Sequence, residues 1–467
     1  MAYTTIDDPT IFFNTVLYTG DGNASQAITG VGFQPDWNWI KARSAGNAHV
    51  LQDVVRGISG SKYRFLQSQG NDAEGTSSDN DGVSSLDSDG FTVGYSNSGG
   101  WNENAVTYAA WNWKAAGTTP SKTYVVKVVS DSGNKYRFDD FGTSAITLEL
   151  SEGGTFRFDQ SDSSNSGHPL RFSTTSDGTH GGGSEYTTGV TTNGTPGSAG
   201  AYTEITVAAS APTLYYYCSV HSGMGGQANT PTTNSFTNVD GSIQANISPN
   251  TTAGFSIVTY TGNGSNSTVG HGLGAKPNLI FFKKREGTSN WITYDSVNTA
   301  TSYLHLNLTD AVASASTIYN NTEPTTSVFT IGTNSHVNTA SGTYIAYCFA
   351  NKKGYSKFGK FTGNGNADGT FVYTGFKPAW VFVKKTSSTG HWVLIDNKRD
   401  PFNVTSNYLL PDNANQEASF TDRDLLSNGF KMRNSNTDRN ASGATYIYMA
   451  FAESPFVNSN GVPTNAR

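Results

Sequence analysis

The sequence is short of charge, of cysteine and of long apolar runs. Charged residues make up 14% of the 467-residue chain, well under the quarter or so usual in soluble domains. With a formal net charge of −6, nothing offers the basic surface that DNA or RNA binding requires, so no nucleic-acid partner is expected. Two cysteines, Cys218 and Cys348, exclude a disulfide framework. No apolar run approaches the ~20 residues of a membrane-spanning helix, so no membrane insertion is expected. The opening residues, Met1-Ala2-Tyr3-Thr4-Thr5-Ile6-Asp7-Asp8, have no basic start and no apolar segment. They predict no secretory signal. The catalytic motifs Gly-x-Ser-x-Gly and His-Glu-x-x-His and a phosphate loop are also missing. So are paired carboxylates at repeated positions, and the chain is read as a non-enzyme.

What is present points to strands and turns. Glycine numbers 51 and aromatic residues reach 12%. Aromatic and β-branched side chains suit a pleated surface, while Gly and Asn accept turn geometry. An all-β fold follows.

Internal repetition is the strongest signal. Three copies open on a strand and a Gly/Asn turn: Leu17-Tyr18-Thr19-Gly20, Thr259-Tyr260-Thr261-Gly262 and Lys360-Phe361-Thr362-Gly363. A proline-led strand follows, at Pro35-Asp36-Trp37-Asn38-Trp39, Pro277-Asn278-Leu279-Ile280-Phe281 and Pro378-Ala379-Trp380-Val381-Phe382. Proline is tolerated at the first residue of a strand. An aromatic or His then precedes Asp by four residues: His49 and Asp53, Trp291 and Asp295, Trp392 and Asp396. Each copy closes on a Thr-Tyr strand, at Thr107-Tyr108, Thr343-Tyr344 and Thr445-Tyr446. Each spans roughly 100 residues, the size of a small sandwich domain.

Trp37 and Trp39 share one strand face. A sugar-stacking platform is one reading, but the second copy has Leu279 there, which favours a core role. The three aspartates have no partner acid or His at a spacing shared by all copies, which favours strand-end turns over a metal or catalytic role. Cys348 has apolar neighbours and reads as a small buried residue. Gln227 to Gly254, rich in Asn, Thr, Ser and Pro, reads as a linker.

The repeats resemble a β-sandwich module found in structural proteins of marine tailed phages. The resemblance implies a jelly-roll-like fold and a virion structural role as tail fibre, appendage or capsid decoration. It implies assembly with other virion proteins in the host cytoplasm, release by lysis, and a homo-oligomer, by analogy with phage fibres a trimer. A host surface glycan or protein is the expected external partner.

Residues from about Ser121 to Gly226 break the repeat. Tyr215-Tyr216-Tyr217-Cys218-Ser219-Val220-His221-Ser222-Gly223-Met224 leaves a tyrosine-rich strand for a Gly-rich loop, and Gly167-His168-Pro169 lies upstream. Two imidazoles, a thiolate and a weak thioether are the blue-copper ligand set. Cys-x-x-His-x-x-Met is similar to the short ligand loop of cupredoxins of the amicyanin type. That resemblance implies a cupredoxin-like Greek-key sandwich and one copper ion on His168, Cys218, His221 and Met224. His180 is a spare candidate. Copper capture or copper redox chemistry is the alternative function, and glycan binding a second one. The expected organisation is a string: 1–117 first repeat, 118–230 cupredoxin-like domain, 231–354 linker and second repeat, 355–467 third repeat.

Overall fold

Alternating side chains set each repeat's main sheet. In the third repeat, Trp380 and Phe382 fall on one face of the strand Phe376–Lys385, and Val381 and Val383 on the other. Both sets are buried, so this strand has apolar material on both sides. The same holds for Trp37–Ala42 and Leu279–Lys284. The computed structural model describes residues 3–76, 81–95, 100–117 and 119–464. The expected boundary residue 118 lies outside them. Strands take 44% of the residues and helices 3%, an all-β sandwich-type fold.

Two compact units emerge. One holds Met1–Ala115, Pro249–Asn266 and Leu273–Arg467, and the other Ala116–Ser248 with Ser267–Gly272. In the first unit all three repeats build the same antiparallel core of four strands. Its order is Phe13–Thr19, Thr107–Trp113, Trp37–Ala42, Val50–Asp53 in the first repeat, and Ser356–Thr362, Thr445–Pro455, Phe376–Lys385, Trp392–Asp396 in the third. The register is shared too, with Trp37 opposite Trp113, Leu279 opposite Phe349 and Trp380 opposite Phe451. One face packs inside its own repeat. In the third, Val381, Val383, Phe430 and Met432 form that cluster.

The other faces meet each other, so the expected string of separate modules is corrected. Trp37 stacks on Tyr347 of the second repeat at 4.5 Å between ring centroids, and Trp113 meets Trp380 of the third at 5.8 Å. A single apolar cluster runs through all three repeats. This confirms the core reading of Trp37 and Trp39. The linker reading of Gln227 to Gly254 is also corrected, because Gly226–Asn229, Phe236–Asn238 and Ala245–Asn250 are strands.

The contacts between repeats close a ring. The buried Lys283 ammonium donates to the Asn71 carbonyl of the first repeat, 3.0 Å away. Lys384 donates to Thr309 of the second (2.9 Å), and Lys41 to Ala414 of the third (3.0 Å). Indole and imidazole nitrogens repeat the pattern. Trp291 Nε1 donates to Gln67 O and Trp392 Nε1 to His305 O, each at 2.8 Å, while His49 Nε2 lies 3.1 Å from Leu410 O.

The three aspartates sit at strand ends and cap the following turn. Asp53 accepts from the N–H groups of Val55 and Arg56, Asp295 from Val297 and Asn298, and Asp396 from Lys398 and Arg399. Two of them also hold a buried arginine three residues on, Arg56 and Arg399. That cation completes the charge balance and was not part of the sequence reading.

The second unit packs two sheets. One has five strands in the order Asn134–Phe138, Ser121–Ser130, Thr155–Asp159, Tyr202–Thr206, Val190–Asn193. The other has Leu148–Glu149, Gly226–Asn229, Leu214–Cys218 and Leu170–Ser173. Phe158 against Phe172 and Phe138 against Tyr216, at 5.5 and 5.1 Å, join them.

Candidate metal centre

Strand register brings three of the predicted ligands together, His168, Cys218 and His221. Leu170 pairs with Cys218 across antiparallel strands, so His168, two residues before Leu170, reaches the end of the sheet where Cys218 leaves it. The Ser219 N–H donates to the Pro169 carbonyl at 3.1 Å and ties the two loops. Cys218 Sγ lies 3.9 Å from His168 Nδ1 and 3.7 Å from His221 Nδ1. The imidazoles lie with centroids 4.6 Å apart and their planes tilted by 46°. All three ligating atoms fall within 4.8 Å of one another.

The two sulfur–nitrogen spacings are close to those around a shared metal ion. Bonds of about 2.3 Å to sulfur and 2.0–2.1 Å to nitrogen, at tetrahedral to trigonal angles, place S and N about 3.6–3.8 Å apart. Cys218 and Met224 are buried, His168 is half-buried and His221 is exposed. The donor set is therefore one buried thiol, two imidazoles of graded access and a buried thioether on the same loop.

The backbone around His168 is fixed from several sides. Its carbonyl accepts from the Tyr136 hydroxyl at 2.9 Å and from Gln160 Nε2 at 2.8 Å, and its N–H donates to Asn165 O at 2.8 Å. The loop after Cys218 is pinned by the Gly223 N–H donating to Asp177 Oδ1 at 2.8 Å, and by Lys135 at the Gly223 carbonyl. It also folds tightly. A Cβ on Gly225 would fall 1.7 Å from the Tyr216 carbonyl oxygen, so glycine is required there.

His180 is not drawn into this set. Its Nε2–H donates to the Cys218 carbonyl at 3.0 Å, so it holds the strand end. Burial, and then the neighbouring His221, hold His168 below the usual imidazole range. The neutral ring is the ligating form. Burial, and then the nearby Cys218 thiol, push the Tyr136 hydroxyl well up.

Tyr136 and Gln160 escaped the sequence reading. Tyr136 alternates with Phe138 along a strand, which marks it as core and says nothing of what its hydroxyl meets. Cys348 is buried as expected, and burial pushes its thiol up.

The fold and this centre describe an all-β protein with a His₂Cys cluster on its second unit. The chain belongs to the family described as Domain of unknown function (DUF7483), whose model matches residues 8–135 and 227–455. The match pauses between residues 135 and 227, the stretch that carries all four predicted ligands. No curated protein and no solved structure matches the chain.

Proposed function

We propose that the second unit binds one copper ion through His168, Cys218, His221 and Met224, and that the first unit is a non-enzymatic scaffold for it. The observation that carries this is the convergence of Cys218 Sγ with the His168 and His221 nitrogens within 4.8 Å. Thiolate and thioether suit Cu(I), and imidazole suits both oxidation states. Met is a poor ligand for zinc, which disfavours that ion. A two-sheet unit with the cluster at one end is what the cupredoxin resemblance implies, and the ligand spacing supports it.

When bound, copper would supply a one-electron redox centre or a staple for the fold. The chain's own residues do the rest. Tyr136 and Gln160 orient the His168 loop, His180 holds the Cys218 strand end, and burial of Cys218 and Met224 keeps bulk water from the sulfur side. A metal bound only by the folded state stabilises it, and this is the first role we assign. Copper capture and contact with a redox protein follow. Titration of the full chain with copper, followed by absorbance and by melting temperature, tests the site. Loss of both responses in Cys218→Ser is expected.

For the whole chain we propose a virion structural role, as fibre, appendage or capsid decoration. The closed ring of repeats supports it, because buried lysines and indoles lock each repeat to the next. Imaging of purified particles tests it. Locating the chain on tail or head is expected, and finding it only in the infected-cell cytosol would count against the role.

A further inference from the structure

Lys377, Asn397 and Glu453 of the third repeat line one cleft of about 270 Å³. Glu453 holds the other two at once. Its Oε1 accepts from the Lys377 ammonium at 2.9 Å, and its Oε2 from the Asn397 carboxamide N–H at 2.8 Å. An amine and a carboxamide on the two oxygens of one carboxylate are the parts of an amide exchange. The acid lies between the nucleophile and the leaving group, within hydrogen-bond reach of both.

The backbone sets these places. Between the strands Phe376–Lys385 and Thr445–Pro455, Lys377 pairs with Ser454 and Pro378 with Ala452, so the register passes over Glu453. Such an irregularity re-aims a side chain. Asn397 follows the Asp396 turn, and its backbone N–H donates to the Ala379 carbonyl at 2.8 Å, which fixes it beside the start of the Lys377 strand. Among the described residues the carboxamide has no second hydrogen bond, since Oδ1 is buried without a partner. Its nitrogen can therefore leave without breaking a structural network. The Lys377 and Glu453 side chains are 36% and 37% exposed. The amine is thus free to swing on its four torsions, and the cleft gives ammonia a way out.

The repeats show that the three groups meet at one place. Asn397 is equivalent to Ser296 and Val54, which make the same backbone hydrogen bond. Lys377 precedes the strand-opening proline, as Lys276 and Gln34 do. Register places Asn351 and Ala115 where Glu453 stands. The second repeat keeps the lysine but pairs it with Glu323 at 2.8 Å. Only the third repeat supplies amine, carboxamide and acid together.

We infer that Lys377 Nζ and Asn397 Cγ become joined by an isopeptide bond in the folded chain. Glu453 takes a proton from the Lys377 ammonium, and the freed amine attacks Cγ. The Cγ–Nδ2 bond then breaks as Glu453 returns the proton to Nδ2. Ammonia leaves and carries off the remaining excess proton of the new amide as ammonium. One lysine cation and one carboxamide become one secondary amide and one ammonium ion. Glu453 ends as the carboxylate it began as, and nothing is oxidised or reduced. Both reacting groups are held in one fold, which makes the step intramolecular. The copper site takes no part in it.

Mass spectrometry of the full chain tests this. The intact mass should fall below that of the sequence by one ammonia, about 17 Da. Fragment spectra of a digest should join the peptide containing Lys377 to the one containing Asn397. Glu453→Gln, which cannot carry the proton, should restore the full mass. So should Lys377→Arg, which keeps the positive charge beside Glu453 and has no amine to acylate. A wild-type chain of full sequence mass would overturn the inference. So would an ammonia loss that Lys377→Arg retains, or one that maps to a cyclised Asn-Gly pair and leaves Lys377 and Asn397 in separate peptides.

Discussion

Trp111 of the first repeat donates its indole N–H to Asp396 Oδ2 of the third, 3.0 Å away. The Tyr347 hydroxyl of the second repeat makes the same contact with Asp53 Oδ2 of the first, at 2.7 Å. At the remaining junction the donor's place is taken by Met449, which faces Phe382 as Trp111 faces Trp39 and Tyr347 faces Phe281. The rest of the network changes with it. Glu74 joins Arg56 to Arg285, and Glu417 joins Arg399 to Arg43. Val312 and Thr386 occupy the matching places, linked by the same backbone hydrogen bond, and Asn298 replaces the arginine. Two junctions carry an arginine–glutamate network, and the third has methionine, asparagine, valine and threonine in those places.

Removing one partner from an ionic junction leaves a buried charge unpaired. Arg56→Met and Arg399→Met should each destabilise the first unit by about 3–5 kcal/mol. Urea unfolding followed by tryptophan fluorescence measures this. Asn298→Met at the third junction should cost much less.

Asp295 lacks an arginine, and burial pushes its carboxyl above the usual range. The folded state then holds the proton more tightly than the unfolded one. Stability from this group is present at low pH and is lost as pH rises from the ordinary carboxylate range through the raised value. Asp295→Asn should therefore stabilise the protein at neutral pH and flatten that decline. Melting temperatures across the acidic range check the sign. Asp396→Asn, which strands Arg399, should do the opposite at neutral pH.

Burial lowers Lys41, Lys283 and Lys384 each to about 8. Between that value and the ordinary lysine value the unfolded chain binds more protons. The contribution of these groups to stability rises with pH across this window and is lost as pH falls through about 8. Chemical denaturation from pH 7 to 10 should show the rise, and Lys384→Met should remove about a third of it.

The shared core predicts that the repeats do not fold singly. Trp37 packs on Tyr347 and Phe255, residues absent from a fragment ending at Ala115. Such a fragment should lack cooperative unfolding. In the full chain, Trp37→Ala should cost about 3–5 kcal/mol. A cooperative, native-like melt of the fragment would contradict the ring.

Much of the fold was legible in the sequence because strand period and turn chemistry are local. The proline-led strands, the Thr-Tyr strands and the Asp turns fall in register at the expected residues. The ring was not legible. Trp37 and Trp39 read as core without indicating whose core, since a strand buried on both faces has the same pattern whether it meets its own second sheet or a neighbour. The strands Phe236–Asn238 and Ala245–Asn250 were hidden by Asn, Ser and Pro, which tertiary pairing overrode. Cys218, His221 and Met224 were found because their spacing carries chemistry. His168 was found by its place before a strand. The groups that position them, Tyr136, Gln160 and His180, have no such spacing, because they act through backbone carbonyls.

The central claim rests on Cys218, and copper titration of the full chain tests it most directly. One equivalent of Cu(II) should produce an intense absorption band near about 600 nm. The band should vanish in Cys218→Ser and weaken in His168→Ala. Absence of the band together with no change in melting temperature would contradict a copper centre at His168, Cys218, His221 and Met224.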